Sequence, residues 1–169
     1  MRETIRTRAL PGRRALALFA AGAALLAAPL AGESPDVRAR IVAPAQAPAG
    51  AKTTISVEMT IGPSWHVNSH TPSEKYLIPT ELKLSTSTGA LSDVRYPKDL
   101  EKKFSFSDKP LRVYAGTARF DTDLTLPPGA TGEASITGLL SYQACNETQC
   151  FAPAKIPLTA RVAIGAPAH

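Results

Sequence analysis

The chain has 169 residues, with 19 lysines and arginines against 14 acids and only two cysteines. The basic excess is confined to the start: the first 32 residues hold five of the bases and one of the acids, which leaves 14 against 13 in the rest. A near-neutral remainder of about 137 residues excludes a nucleic-acid binder, which needs a basic footprint. It is one domain's worth of chain, long enough to bury a core without cross-links.

In chain order, the first feature is "MRETIRTRALPGRR", followed by an unbroken apolar run from Ala15 to Ala31 and a polar stretch from Glu33. Charged start, short apolar segment and small residues are the parts of a secretory signal peptide. The predicted division is a signal peptide over residues 1–32 and a single domain over 33–169. The run contains Pro29 and falls short of the ~20 apolar residues that span a bilayer, which favours cleavage over an uncleaved anchor. Ala28, Ala31 and Gly32 are all small and leave the cut site open, and Arg13-Arg14 fits twin-arginine export as well as an ordinary signal. An exported domain sits where disulfides form and persist.

Residues 41–51, "IVAPAQAPAGA", read as a Pro/Ala/Gly connector. Period-two alternation, the signature of a half-buried strand, then appears at Ile55, Val57, Met59 and Ile61. It recurs at Leu82 and Leu84, at Ala118, Phe120, Leu124 and Leu126, at Ala134, Ile136, Leu140 and Tyr142, and at Ile156, Leu158, Ala160, Val162 and Ile164. A weaker copy lies in "DVRARIVA". Seven to nine short strands separated by Gly and Pro clusters predict an antiparallel β-sandwich. Residues 96–114 break the pattern as a long, charged loop with Phe104 and Phe106 in its middle. Such a loop is either functional or a plug for the end of the sandwich.

The two cysteines, Cys145 and Cys150, stand in "SYQACNETQC". As a staple they would close a loop of about six residues, worth roughly 2 kcal/mol against nearly 5 for a loop of about a hundred. Strands ending near Ala144 and restarting near Cys150 would set them opposite each other across a hairpin end, within disulfide reach. Parity with Ile136, Leu140 and Tyr142 sends Cys145 to the row facing away from the core. With His66 and His70 the pair could instead bind zinc or copper(I), but the spacing matches no zinc pattern, and no metal is expected. Asn146-Glu147-Thr148 also fits a glycosylation sequon.

The segment "SYQACNETQCFAPAKIPL" resembles the active-site segment of the amino-terminal periplasmic domain of DsbD, the thiol:disulfide interchange protein. The resemblance rests on Tyr142, Gln143, Ala144, Cys145, Cys150, Phe151 and Pro153. It extends through Trp65-His66-Val67 and Leu77-Ile78-Pro79-Thr80, and covers roughly residues 36–164. It implies an immunoglobulin-like sandwich in the periplasm whose Cys145–Cys150 pair opens and closes as a protein-disulfide reductase without a cofactor. Electrons would come from a thioredoxin-like domain or protein and pass to periplasmic oxidoreductase clients. Phe104 or Phe106 would cap the pair, and His66, Tyr142 and Phe151 would stand around it. The chain departs from the family in stopping at His169, so a membrane electron-transfer protein would act in trans. It also departs in carrying His66 and Asn68 where the best-known members have tyrosines.

The resemblance further implies that Cys150 forms the mixed disulfide and Cys145 resolves it. His66 is either a proton acceptor, if folding brings it close, or a surface strand histidine. Nothing beside the cysteines in sequence lowers a thiol pKa and Glu147 raises it, so a sluggish dithiol that depends on its partner is expected. The alternative is a non-catalytic binding module with a structural disulfide at a hairpin tip.

Overall fold

The computed structural model describes residues 34–166, so the signal peptide expected over residues 1–32 and the terminal His169 lie outside the described residues. In chain order the strands are β1 (Val37–Val42), β2 (Gln46–Pro48), β3 (Lys52–Ile61), β4 (His66–Asn68), β5 (Glu81–Thr86) and β6 (Ala90–Leu91). They continue as β7 (Leu100–Lys102), β8 (Leu111–Tyr114), β9 (Thr117–Thr125), β10 (Glu133–Tyr142), β11 (Ala144–Cys145) and β12 (Ala154–Gly165). Three four-stranded sheets result, ordered β1-β3-β9-β6, β2-β12-β10-β5 and β11-β4-β8-β7.

The first two sheets form an immunoglobulin-like sandwich, and its core is the set of alternating residues read from the sequence. Val57, Met59, Ile61 and Phe120 of the first sheet meet Leu82, Leu140, Tyr142 and Leu158 of the second. Towards the other end, Ile55, Leu124 and Leu126 meet Ala134, Ile136 and Val162. Each fully buried side chain of this size is worth about 1.5–3 kcal/mol, so the long strands carry the stability. Gly138 interrupts the apolar row of β10 for a steric reason: a Cβ there would stand 2.5 Å from Leu84 Cδ2.

Four expectations change. The supposed connector at residues 41–51 contains β2, which pairs parallel with β12 and buries Ala47 completely. The loop at residues 96–114 contains β7 and β8, and the irregular part shrinks to residues 103–110. No regular strand restarts at Cys150, since β12 begins only at Ala154. Cys145 does not face away from the core; it is completely buried. The cause is Gln143, which belongs to no strand. There the chain leaves the second sheet for the third, and the side-chain alternation of β10 stops applying. Two- and three-residue strands carry no period, which is why β2 and β7 were not legible.

Candidate functional site

The site is built on the third sheet. β11 pairs antiparallel with β4, which sets Cys145 directly opposite His66 and Ala144 opposite Val67. Cys145 and Cys150 are joined by a disulfide, face each other in an isolated antiparallel bridge and have Cα atoms 3.9 Å apart. A tight turn between them is made by Asn146, whose Oδ1 accepts hydrogen bonds from the Thr148 and Gln149 backbone N–H groups at 3.0 and 2.9 Å. This is the local side-chain turn that asparagine favours. The two sulfur-bearing residues differ in access: Cys145 is completely buried, and Cys150 is partly exposed.

His66 is buried, and its Nε2 has no hydrogen-bond partner within the protein. Its ring stacks on Phe104 with centroids 3.9 Å apart and planes 19° from parallel. Burial, reinforced by the nearby Lys102 charge and opposed by Glu147, lowers its pKa to about 4. At neutral pH the imidazole is therefore uncharged.

Phe104 and Phe106, which the sequence could not tell apart, occupy different surroundings. Phe104 is 2% exposed and packs with Leu77, Leu111 and Val113, whereas Phe106 is 37% exposed and stacks on Phe104 at 5.4 Å. The segment that carries them is fastened to the cysteine turn from outside. Lys102 Nζ reaches Glu147 Oε1 at 2.7 Å, and Ser105 Oγ donates to the Glu147 backbone oxygen at 2.8 Å. The hydrogen bond from Lys102 holds the Glu147 carboxyl below its usual pKa. Glu147, read from sequence as an unopposed negative charge beside the cysteines, is thus paired.

Tyr142 and Phe151 flank the pair in sequence but face the core. Tyr142 is buried in the main cluster, and burial pushes its hydroxyl pKa up. Phe151 packs edge-on against Trp65 at 5.0 Å. Sequence reasoning missed the side chains that tie the site together: Asn68, Gln143, Lys102 and Ser105. Gln143 was visible only as a letter of the cysteine motif, and no rule of spacing joins Lys102 to Glu147 across 45 positions. Among the described residues, no three His, Cys, Asp or Glu side chains come together in a way that could hold a metal ion.

The family model for the amino-terminal domain of the thiol:disulfide interchange protein DsbD matches residues 38–158, the greater part of the chain and all of this site. The chain belongs to the DsbD N-terminal domain family. With a bonded cysteine pair inside the matched segment, it is a module of the thiol–disulfide exchange class. Among solved structures it is similar to the reduced N-terminal domain of DsbD from Neisseria meningitidis, at 18% identity and a TM-score of 0.44, over 68% of this chain and 82% of that one. It is also similar to the N-terminal periplasmic domain of ScsB from Proteus mirabilis, at 16% identity and a TM-score of 0.49, over 73% of this chain but only 45% of that one. No curated protein sequence matches the chain significantly.

Proposed function

We propose that residues 33–169 act in the periplasm, after export directed by residues 1–32, as an electron-passing module. They accept reducing equivalents from a thioredoxin-like protein and deliver them to client oxidoreductases. The observation that carries this reading is the unequal access of the bonded cysteines, one completely buried and one partly exposed, within the segment matched by the family.

That asymmetry supports an order of events. A thiolate of the reductant attacks Cys150 Sγ, the Cys145–Cys150 bond breaks, and Cys145 leaves with the electron pair and takes up a proton. The reductant's second thiol then displaces Cys150, so the reductant becomes a disulfide and both cysteines become thiols. In the outward direction Cys150 attacks the client disulfide. Cys145 attacks Cys150 in the resulting mixed disulfide, which re-forms the internal bond and releases the reduced client.

A buried thiol resists ionisation, so the Cys145 step needs a base. His66, opposite Cys145 across the β4–β11 pair with its Nε2 unpartnered, is placed to accept a hydrogen bond from that thiol. Its lowered pKa makes it a weak base in the closed site, so proton transfer to it calls for the site to open. Phe104, held down by Lys102 and Ser105, acts as the cap that a docking partner lifts, and Phe106 extends the apolar surface the partner first meets.

Single cysteine variants test the reading. Cys145→Ser leaves the accessible Cys150 and should trap a covalent complex with an oxidised thioredoxin-like periplasmic protein, whereas Cys150→Ser should trap little. Absence of a complex with either variant would overturn the exchange function. Equal trapping by both would overturn the order of the two cysteines.

A further inference from the structure

We infer that Gln143 is a positioning residue that sets how readily the Cys145–Cys150 bond is reduced, because its carboxamide ties the two flanks of the cysteine loop to each other and to β4. This deepens the exchange reading above and rests on it.

Gln143 is the single residue between β10 and β11, two positions before Cys145. Its Nε2 donates to the backbone oxygen of Phe151, the residue after Cys150, at 3.2 Å. Its Oε1 accepts from Asn68 Nδ2 at 2.9 Å and from the Ile78 backbone N–H at 3.2 Å. Asn68 completes the junction, since its Nδ2 also donates to the Ile78 oxygen at 3.0 Å and its backbone N–H donates to the Gln143 oxygen at 3.2 Å. The orientation of the amide is fixed by its partners: a backbone N–H can only donate and a backbone carbonyl only accept. One planar group therefore has to offer both an acceptor and a donor. Glutamate lacks the donor, and methionine lacks both.

What makes this bond matter is its place, between the end of the β10–β12 ladder, where Tyr142 pairs with Ala154, and the disulfide itself. Over that interval no regular strand follows Cys150, and Phe151 N–H donates to Ala144 O at 2.8 Å and Asn146 N–H to Gln149 O at 2.9 Å. When the disulfide is reduced, the thiols keep their closed separation only while the two sides of this loop stay together. Two interactions that favour the same closed arrangement strengthen each other by the same factor. The Gln143–Phe151 bond thus stabilises the disulfide, and the disulfide stabilises that bond. A neutral intramolecular hydrogen bond contributes enough to move an equilibrium about two- to tenfold. Its loss therefore makes the disulfide easier to reduce, never harder.

The experiment equilibrates the wild-type domain, Gln143→Glu and Gln143→Met with glutathione buffers and measures the fraction reduced. In the reaction two glutathione thiols give up an electron pair to the Cys145–Cys150 bond, yielding two protein thiols and one glutathione disulfide. Gln143→Glu keeps the acceptor for Ile78 and Asn68 but loses the donor to Phe151. It should be reduced about two- to tenfold more readily, a rise in potential of at most ~30 mV. Gln143→Met should shift at least as far, and the oxidised form of each variant should lose more thermal stability than its reduced form. A purely structural role would weaken both forms alike and leave the potential where it was. Folded variants that titrate at the wild-type potential, or below it, would overturn the inference; if Gln143→Met does not fold, Gln143→Glu decides. The measurement needs no protein partner. Failure to exchange with a thioredoxin-like protein would sink the functional reading, and an unmoved potential would sink only the role of Gln143.

Discussion

In the sandwich proper, β3, β9, β10 and β12 run 10, 9, 10 and 12 residues and meet through side chains that alternate in and out. The third sheet is assembled from strands of 3, 3, 4 and 2 residues and is tied to the cysteine segment by side chains, through Asn68 on Gln143 and through Lys102 and, from the adjoining loop, Ser105 on Glu147. Long ladders over an apolar core resist opening, and β4, β8 and β11 share that core through Val67, Tyr114 and Ala144. Residues 103–110, of which only Phe104 is buried, belong instead to the kind of region that opens at lower free energy. The difference teaches why the exchange proposed above suits the short-stranded end: a disulfide that meets another protein's sulfur would gain from a cover that moves without unfolding the body beneath it.

The largest expected effects separate the two regions most sharply. Phe120 is 1% exposed at the centre of the main cluster, and Phe120→Ala should cost about 3–5 kcal/mol of stability in denaturant unfolding. In the fraction that remains folded, it should leave the rate of disulfide reduction by a small dithiol near wild type. Phe104→Ala, at a site 2% exposed, should also cost stability, but losing the stack on His66 should in addition raise that rate about two- to tenfold. If the two substitutions alter stability and reduction rate in the same proportion, the body and the cap are not separable.

A mid-sized effect follows from His66. Its folded pKa, about 4, lies below the ordinary value of 6.5 because burial disfavours the charged ring. Stability is therefore full above pH 6.5 and falls as the pH drops from there through 4, where the unfolded chain binds a proton that the folded site resists, to the extent of about 3 kcal/mol. A stability-against-pH curve should show this fall in the wild type and a flatter course over the same window in His66→Phe. Identical curves would show that the ring is not held neutral by the closed site.

The smallest effect belongs to the outer fastening. Lys102 and Glu147 are both well exposed, at 48% and 62% of their side chains, and exposed ion pairs contribute little in water. Lys102→Ala should speed reduction of the disulfide less than about fivefold, and high salt should erase the difference from wild type. A larger or salt-independent change would make Lys102 part of the cap's packing rather than its clasp.

Legibility in the sequence follows the same division. The rows Ile55-Val57-Met59-Ile61 and Ala134-Ile136-Leu140-Tyr142 disclosed β3 and β10 because a long strand with one buried face writes its period into the chain. The same rule misplaced Cys145, since a period extends only as far as its sheet and the chain changes sheets at Gln143. The sequence isolated the cysteine pair and narrowed the proposed cap to two phenylalanines. It could not distinguish Phe104 from Phe106, because burial there depends on Leu77, Leu111 and Val113 arriving from β8 and a separate loop. The Lys102–Glu147 contact had no sequence signal at all, because a single charge pair across two loops leaves no pattern.

The most direct test of the account is the reduction potential of the Cys145–Cys150 bond in the wild-type domain, measured by equilibration with glutathione or a stronger dithiol. A bond that opens and closes in use should titrate above about −300 mV, within reach of thioredoxin-like reductants. A value well below that marks a disulfide closed for good, and would contradict the exchange function and the reading of Phe104 as its cap.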